Sequence, residues 1–140
     1  MIAPDTSVLV AGFVSGHRFH EAAVSALSEV RAGGRLIAHT TAETFAVLSA
    51  PGGIYRAEPD AVVAYLDQFL DGSSPIQARP DAYREALGLL AGDGRAGGAI
   101  YDALIALTAR DAQATLVSLD LRAERTYALC GIEARLLVDG

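Results

Sequence analysis

Four carboxylates stand where chemistry is expected: Asp5, Glu43, Asp102 and Asp120. Asp5 directly follows the apolar opening Ile2-Ala3-Pro4, and Asp120 directly follows Leu116-Val117-Ser118-Leu119. Glu43 falls in the first turn of a helix read from Thr40, and Asp102 in the first turns of an apolar helix that begins near Gly98. In an open parallel sheet, ligands collect at the carboxyl ends of the strands, where the following helices begin. The four acids are therefore expected on one rim. Converging carboxylates repel one another, so some must hold protons or a cation must neutralise them. All 11 basic residues are Arg, which leaves a divalent metal as the natural neutraliser. Mg²⁺ prefers a few carboxylate oxygens with water completing an octahedron. Such an ion lowers the pKa of bound water and steadies charge on a transferring phosphoryl group.

Each acid also has an ordinary structural role open to it. Asp5 suits a loop, Glu43 would close a capping box with Thr40, and Asp120 is a fitting helix N-cap. Asp102 would favour a helix N-terminus through the macrodipole, but Ile100, Leu104 and Ile105 around it imply burial. An ionised carboxylate is costly there unless paired or liganded. His17 and His20 lie at a helix start without a third ligand and read as helix-terminal residues, whereas His39 is placed to approach the rim. Gly92, Gly94, Gly97 and Gly98 do not follow a strand as a dinucleotide fingerprint requires, and read as a flexible loop.

The elements that must position these residues alternate. Strands are expected at 2–5, 35–39, 116–119 and 134–138, with a weak candidate at 75–78. Helices are expected at 20–32, 40–50, from Pro59 through Leu70, at 80–91, 99–109 and 122–129, by apolar spacing. Gly33-Gly34 reads as a left-handed cap ending the first of these. Strands separated by helices imply a parallel sheet covered on both faces, an α/β sandwich. Pro4 is awkward in a central first strand, because it has no N–H for the ladder. It fits only at the last paired position or with its nitrogen facing a loop.

The 140 residues suit one domain, 1–140. The absence of Lys excludes a Walker A loop, a receiver domain and Schiff-base chemistry. A net charge of −6 makes the chain a poor non-specific binder of nucleic acid, so local Arg residues and bound cations must offset the global field. No apolar run reaches the roughly 18 residues that span a bilayer, the N-terminus lacks the pattern of a signal peptide, and the single Cys130 lies in an apolar stretch. A cytoplasmic protein is expected.

The ordered set Asp5-Thr6-Ser7-Val8-Leu9, His17 to Ala23, Glu43, Gly98 to Ala106 and Ser118-Leu119-Asp120 resembles the PIN domain, and within it the VapC toxins of toxin–antitoxin pairs. The likeness spans essentially the whole chain. It implies a three-layer α/β/α sandwich with a central five-stranded parallel sheet, and an endoribonuclease dependent on Mg²⁺ or Mn²⁺. It further implies that Asp5 and Asp102 are the principal metal ligands, with Glu43 and Asp120 completing the catalytic pocket and the Ser118 hydroxyl beside it. RNA as substrate, a small antitoxin occupying the site and a homodimer are implied as partners. Two positions depart from the usual pattern: Pro4 precedes the first acid, and Ser118 stands where Thr is commoner.

Two other functions compete with RNA cleavage. One is a PIN-like module whose intact acidic rim serves only to grip a basic peptide. A phosphatase is the more distant reading, since Asp5-Thr6-Ser7 lacks the second Asp of an Asp-x-Asp-x-Thr motif.

Overall fold

A computed structural model describes residues 1–138. The chain opens with strand β1 (Ile2–Pro4), then helices α1 (Thr6–Phe13), α2 (His20–Gly33), α3 (Ala38–Ser49), α4 (Pro59–Leu70), α5 (Ala82–Gly92) and α6 (Ala99–Asp111). Strand β2 (Thr115–Ser118), helix α7 (Glu124–Leu129) and strand β3 (Arg135–Leu136) complete it. The strands pair in parallel in the order β1-β2-β3, with Ala3 opposite Leu116 and Ser118 opposite Leu136.

Alternation along the strands builds two cores. Ala3, Leu116 and Ile37 point to one face, against α5, α6 and α7. Val117, Leu36 and the partly buried Ile2 point to the other, against α1, α2 and α4. The period of two in a sheet covered on both faces thus makes helix–sheet–helix layers.

Among the described residues three strands stand where five were expected. Segments 35–37 and 75–77 do lie along the sheet: the Arg35 N–H donates to the Ile2 carbonyl at 3.1 Å, and Ile37 bridges Ile76 in parallel. Pro4 stops the ladder there. Thr115 N–H donates to Met1 O and Asp5 N–H to Val117 O, so the odd-numbered residues of β1 bond β2 and the even-numbered ones face segment 35–37. Pro4 is the last residue of β1, and its nitrogen lies on that second side, where the missing donor costs one bond with segment 35–37 and spares β2. The expected strand 35–39 is accordingly reduced to a bridge, and α3 begins at Ala38 rather than Thr40.

Helix α1 was not among the expected elements. Its run Val8-Leu9-Val10 favours strands locally, but all of Val8 to Ala11 is buried, which tertiary packing outweighs propensity to achieve. Gly12 lets it pack tightly: a Cβ there would meet Leu27 Cδ1 at 2.3 Å and the Tyr65 hydroxyl at 2.7 Å. Gly34 is not a left-handed cap, since its φ is −93°. Its smallness is needed because a Cβ would lie 2.5 Å from the Ile2 carbonyl oxygen.

Candidate active site

Asp5 directly follows β1 and caps α1. Its backbone is extended, and its carboxylate accepts from the Val8 N–H at 3.3 Å, the Ser7 hydroxyl and the Tyr127 hydroxyl at 2.8 Å. The residue is 2% exposed. Burial pushes its carboxyl above the ordinary value, while the Ser118, Ser7 and Tyr127 hydroxyls and the Val8 amide favour the charged form. Asp5 is a cap and a rim acid at once.

Ser7 joins the ends of the two adjacent strands. It donates to Asp5 and accepts from the Leu119 N–H at 2.8 Å. On β2 the buried Ser118 hydroxyl accepts from the Asp120 N–H at 3.0 Å. Asp120 Oδ1 accepts from the Arg122 N–H at 2.9 Å and the Ala123 N–H at 3.4 Å. The capping reading of Asp120 thus holds in part: it orders the turn that leads into α7, which begins later than expected, at Glu124.

Glu43 lies in the second turn of α3, not the first, because that helix starts early. Thr40 is buried inside the helix, so there is no capping box. Instead Glu43 Oε1 accepts from the Thr6 hydroxyl, and Oε2 lies 3.7 Å from His39 Nε2. His39 thus reaches the rim, and its ring stacks on Tyr101 with centroids 5.3 Å apart. His17 and His20 make local bonds: His17 Nδ1 accepts from the Phe19 N–H, and His20 Nδ1 lies 2.9 Å from the Ala11 carbonyl.

Asp102 is half-buried in the first turn of α6. Its carboxyl is raised to about 6, first by desolvation, then by the charges of Asp120, Glu43 and Asp5; Arg122 opposes the shift. Asp102 therefore senses the other three acids, each supplied by a different part of the chain, across one rim. Among the described residues no three Asp, Glu, His or Cys side chains are drawn together tightly enough to enclose an ion by themselves. A hard cation that keeps much of its water and takes one or two carboxylates would not need such an enclosure.

Residues around the acids escaped sequence reasoning. Thr6 and Ser7 orient Glu43 and Asp5, and their only signal is a pair of hydroxyls following a strand-end acid. Tyr127 reads as core in an apolar stretch. It is indeed 1% exposed, and a buried phenol needs a partner, which only the fold identifies as Asp5.

A family model for the PIN domain matches residues 2–129. Ribonuclease VapC40 of Mycobacterium tuberculosis is 45% identical over 137 residues, covering 98% of this chain and 99% of that protein. Ribonuclease VapC27 of M. tuberculosis strain H37Rv is 33% identical over 132 residues, covering 94% and 93%. The crystal structure of M. tuberculosis VapC20, described as a sarcin–ricin loop cleaving toxin, matches with a TM-score of 0.66 at 20% identity, covering 89% of this chain and 94% of that one. That likeness concerns the fold.

Proposed function

The chain belongs to the PIN-domain family, and we propose that within it the chain is a metal-dependent endoribonuclease, the toxin of a VapBC-type pair, acting at Asp5, Glu43, Asp102 and Asp120. The carrying observation is the state of Asp102, held at about 6 by burial and by three neighbouring carboxylates. A divalent cation would relieve a repulsion that the fold otherwise sustains, and an all-oxygen donor set suits Mg²⁺ or Mn²⁺. When bound, such an ion lowers the pKa of a coordinated water and offsets charge on the phosphoryl group.

Asp5 and Asp102 are the principal ligands in this reading. The Asp5 carboxylate is fixed by Ser7, Tyr127 and the Val8 amide, so its orientation needs no ordering when substrate arrives. Glu43, held by Thr6, and Asp120, held by the Arg122 and Ala123 amides, complete the acidic set. All four acids are intact, and a 45% identical relative is a ribonuclease. Both points favour cleavage over a module that merely grips a basic peptide.

The partners follow the same reading: RNA as substrate, and a small antitoxin whose basic side chains fit the acidic rim. A homodimer is also proposed; Tyr83 and Leu87, one turn apart on α5 and 55% and 61% exposed, offer it an apolar stripe. Among the described residues no helix is long and apolar enough to cross a membrane, and a cytoplasmic setting is proposed. The test is cleavage of total RNA by the purified chain. Activity should need Mg²⁺ or Mn²⁺, vanish in EDTA and fall about a hundredfold or more in Asp5→Ala and Asp102→Asn. Undiminished cleavage by both variants overturns the assignment.

A further inference from the structure

A cavity of about 370 Å³ opens beside Asp120, inside the roughly 300–1,000 Å³ range of small-molecule sites. Ser7 and Val10 of α1 contribute to its lining, as do Phe19, Tyr55, Leu119 and Arg122. Its walls thus come from the start of α2, the loop after α3 and the turn after β2. Two aromatic rings in a small pocket are an ordinary packing feature. Here, however, the pocket shares Asp120 and Ser7 with the acidic rim, so an occupant would lie directly against the proposed reaction site.

The charges at its mouth also point to nucleic acid. In a chain of net charge −6, Arg18 sits 5.0 Å from the centroid of the Phe19 ring. The Arg122 side chain is 96% exposed, with Nε 3.8 Å from Asp120 Oδ1. Among the described residues Arg122 has only that long pairing, which leaves its guanidinium available to a phosphate. His17 also lines the cavity. Its Nδ1 accepts from the Phe19 N–H, which leaves the proton of the neutral ring on Nε2, a donor for a base carbonyl or ring nitrogen.

We propose that this cavity is a nucleobase subsite: it takes the unstacked base next to the scissile phosphate between Phe19 and Tyr55, with Arg122 on the adjoining phosphate. The inference rests on the ribonuclease reading and adds the residues that would seat a nucleotide beside the acids; a base within a duplex cannot enter. Base–aromatic stacking supplies affinity without strict sequence choice.

The test compares two fluorescein-labelled probes of equal length: random-sequence single-stranded RNA and an abasic ribose–phosphate oligomer. Binding is measured by anisotropy in Mg²⁺, in an Asp102→Asn background that prevents cleavage. The base-bearing probe should bind about fivefold or more tightly than the abasic one. Tyr55→Leu and Phe19→Leu should each shrink that ratio with the abasic affinity unchanged, while Tyr55→Phe should retain it. Arg122→Gln should weaken both probes alike and reduce the salt slope by about 0.7. Thermal melting identifies any variant that fails to fold; Tyr55→Leu, whose replacement keeps apolar bulk, then decides. A ratio unchanged in folded Tyr55→Leu and Phe19→Leu overturns the subsite. If the unmutated chain still cleaves RNA with Mg²⁺, that result leaves the ribonuclease reading standing. A Tyr55-dependent ratio without any metal-dependent cleavage would support the subsite and sink the ribonuclease reading instead.

Discussion

The Tyr127 hydroxyl donates to Asp5 Oδ2 at 2.8 Å, joining positions 122 apart in sequence. Both groups are buried, and each satisfies the other. The phenol of α7 therefore belongs to the support of the proposed metal site as much as to the core.

Tyr127→Phe keeps the ring and removes one donor from a buried carboxylate. Asp5, already raised by burial, should rise further and hold a cation less well. The Mg²⁺ concentration for half-maximal cleavage should increase about tenfold or more. A metal titration reads this, and an unchanged midpoint would confine Tyr127 to packing.

Asp102→Asn should abolish cleavage and yet stabilise the metal-free fold. With a folded value of about 6 against an ordinary 3.8, the native state binds more protons between those values, so stability falls as pH rises from about 4 to 6 and stays lowered above. In EDTA, the melting advantage of the variant should therefore be larger at pH 7.5 than at pH 4.5. Taking the difference between variant and parent removes groups of opposite sign, such as Glu85, whose carboxyl Arg110 holds below the ordinary range. Equal differences at both pH values would count against this state of Asp102.

Metal addition should show the same linkage from the other side. Saturating Mg²⁺ should raise the melting temperature more at pH 7.5 than at pH 5, since the ligands must be deprotonated to bind. In Asp102→Asn that metal-induced shift should shrink, which differential scanning fluorimetry can measure.

Gly33 and Gly34 should respond oppositely to alanine. At Gly34 the new Cβ meets the Ile2 carbonyl at 2.5 Å and Val30 Cα at 2.9 Å, both backbone atoms, so a loss of about 1–3 kcal/mol is expected. At Gly33 nothing lies within 4 Å and the residue closes α2, so alanine should be neutral or gain up to about 1 kcal/mol. Urea denaturation of the two variants distinguishes them.

Ser7→Ala removes the hydroxyl that donates to Asp5 and accepts from the Leu119 N–H. A cost of about 1–2 kcal/mol is expected from two lost partners, with weaker cleavage because the β1 and β2 ends lose their tie. Full stability alongside full activity would show that tie to be dispensable.

The sequence by itself determined the four acids, their order, and the alternation of strands with helices that implied a sheet covered on both faces. These are local signals, carried by residue type and by periods of two and 3.6, so they survive without coordinates. The ordered motifs also pointed to the family that the comparisons identify. Tertiary structure decided what local signals do not encode. Burial against α2 and the sheet made Val8 to Ala11 a helix despite strand-favouring residues. Pro4 became harmless only through register, which turned its nitrogen away from β2 and left segment 35–37 with a bridge in place of a strand. The donors to the acids come from Thr6, Ser7 and Tyr127, up to 122 residues away. A hydrogen bond at that separation leaves no periodicity to read, and it exists only once packing has brought its two ends together.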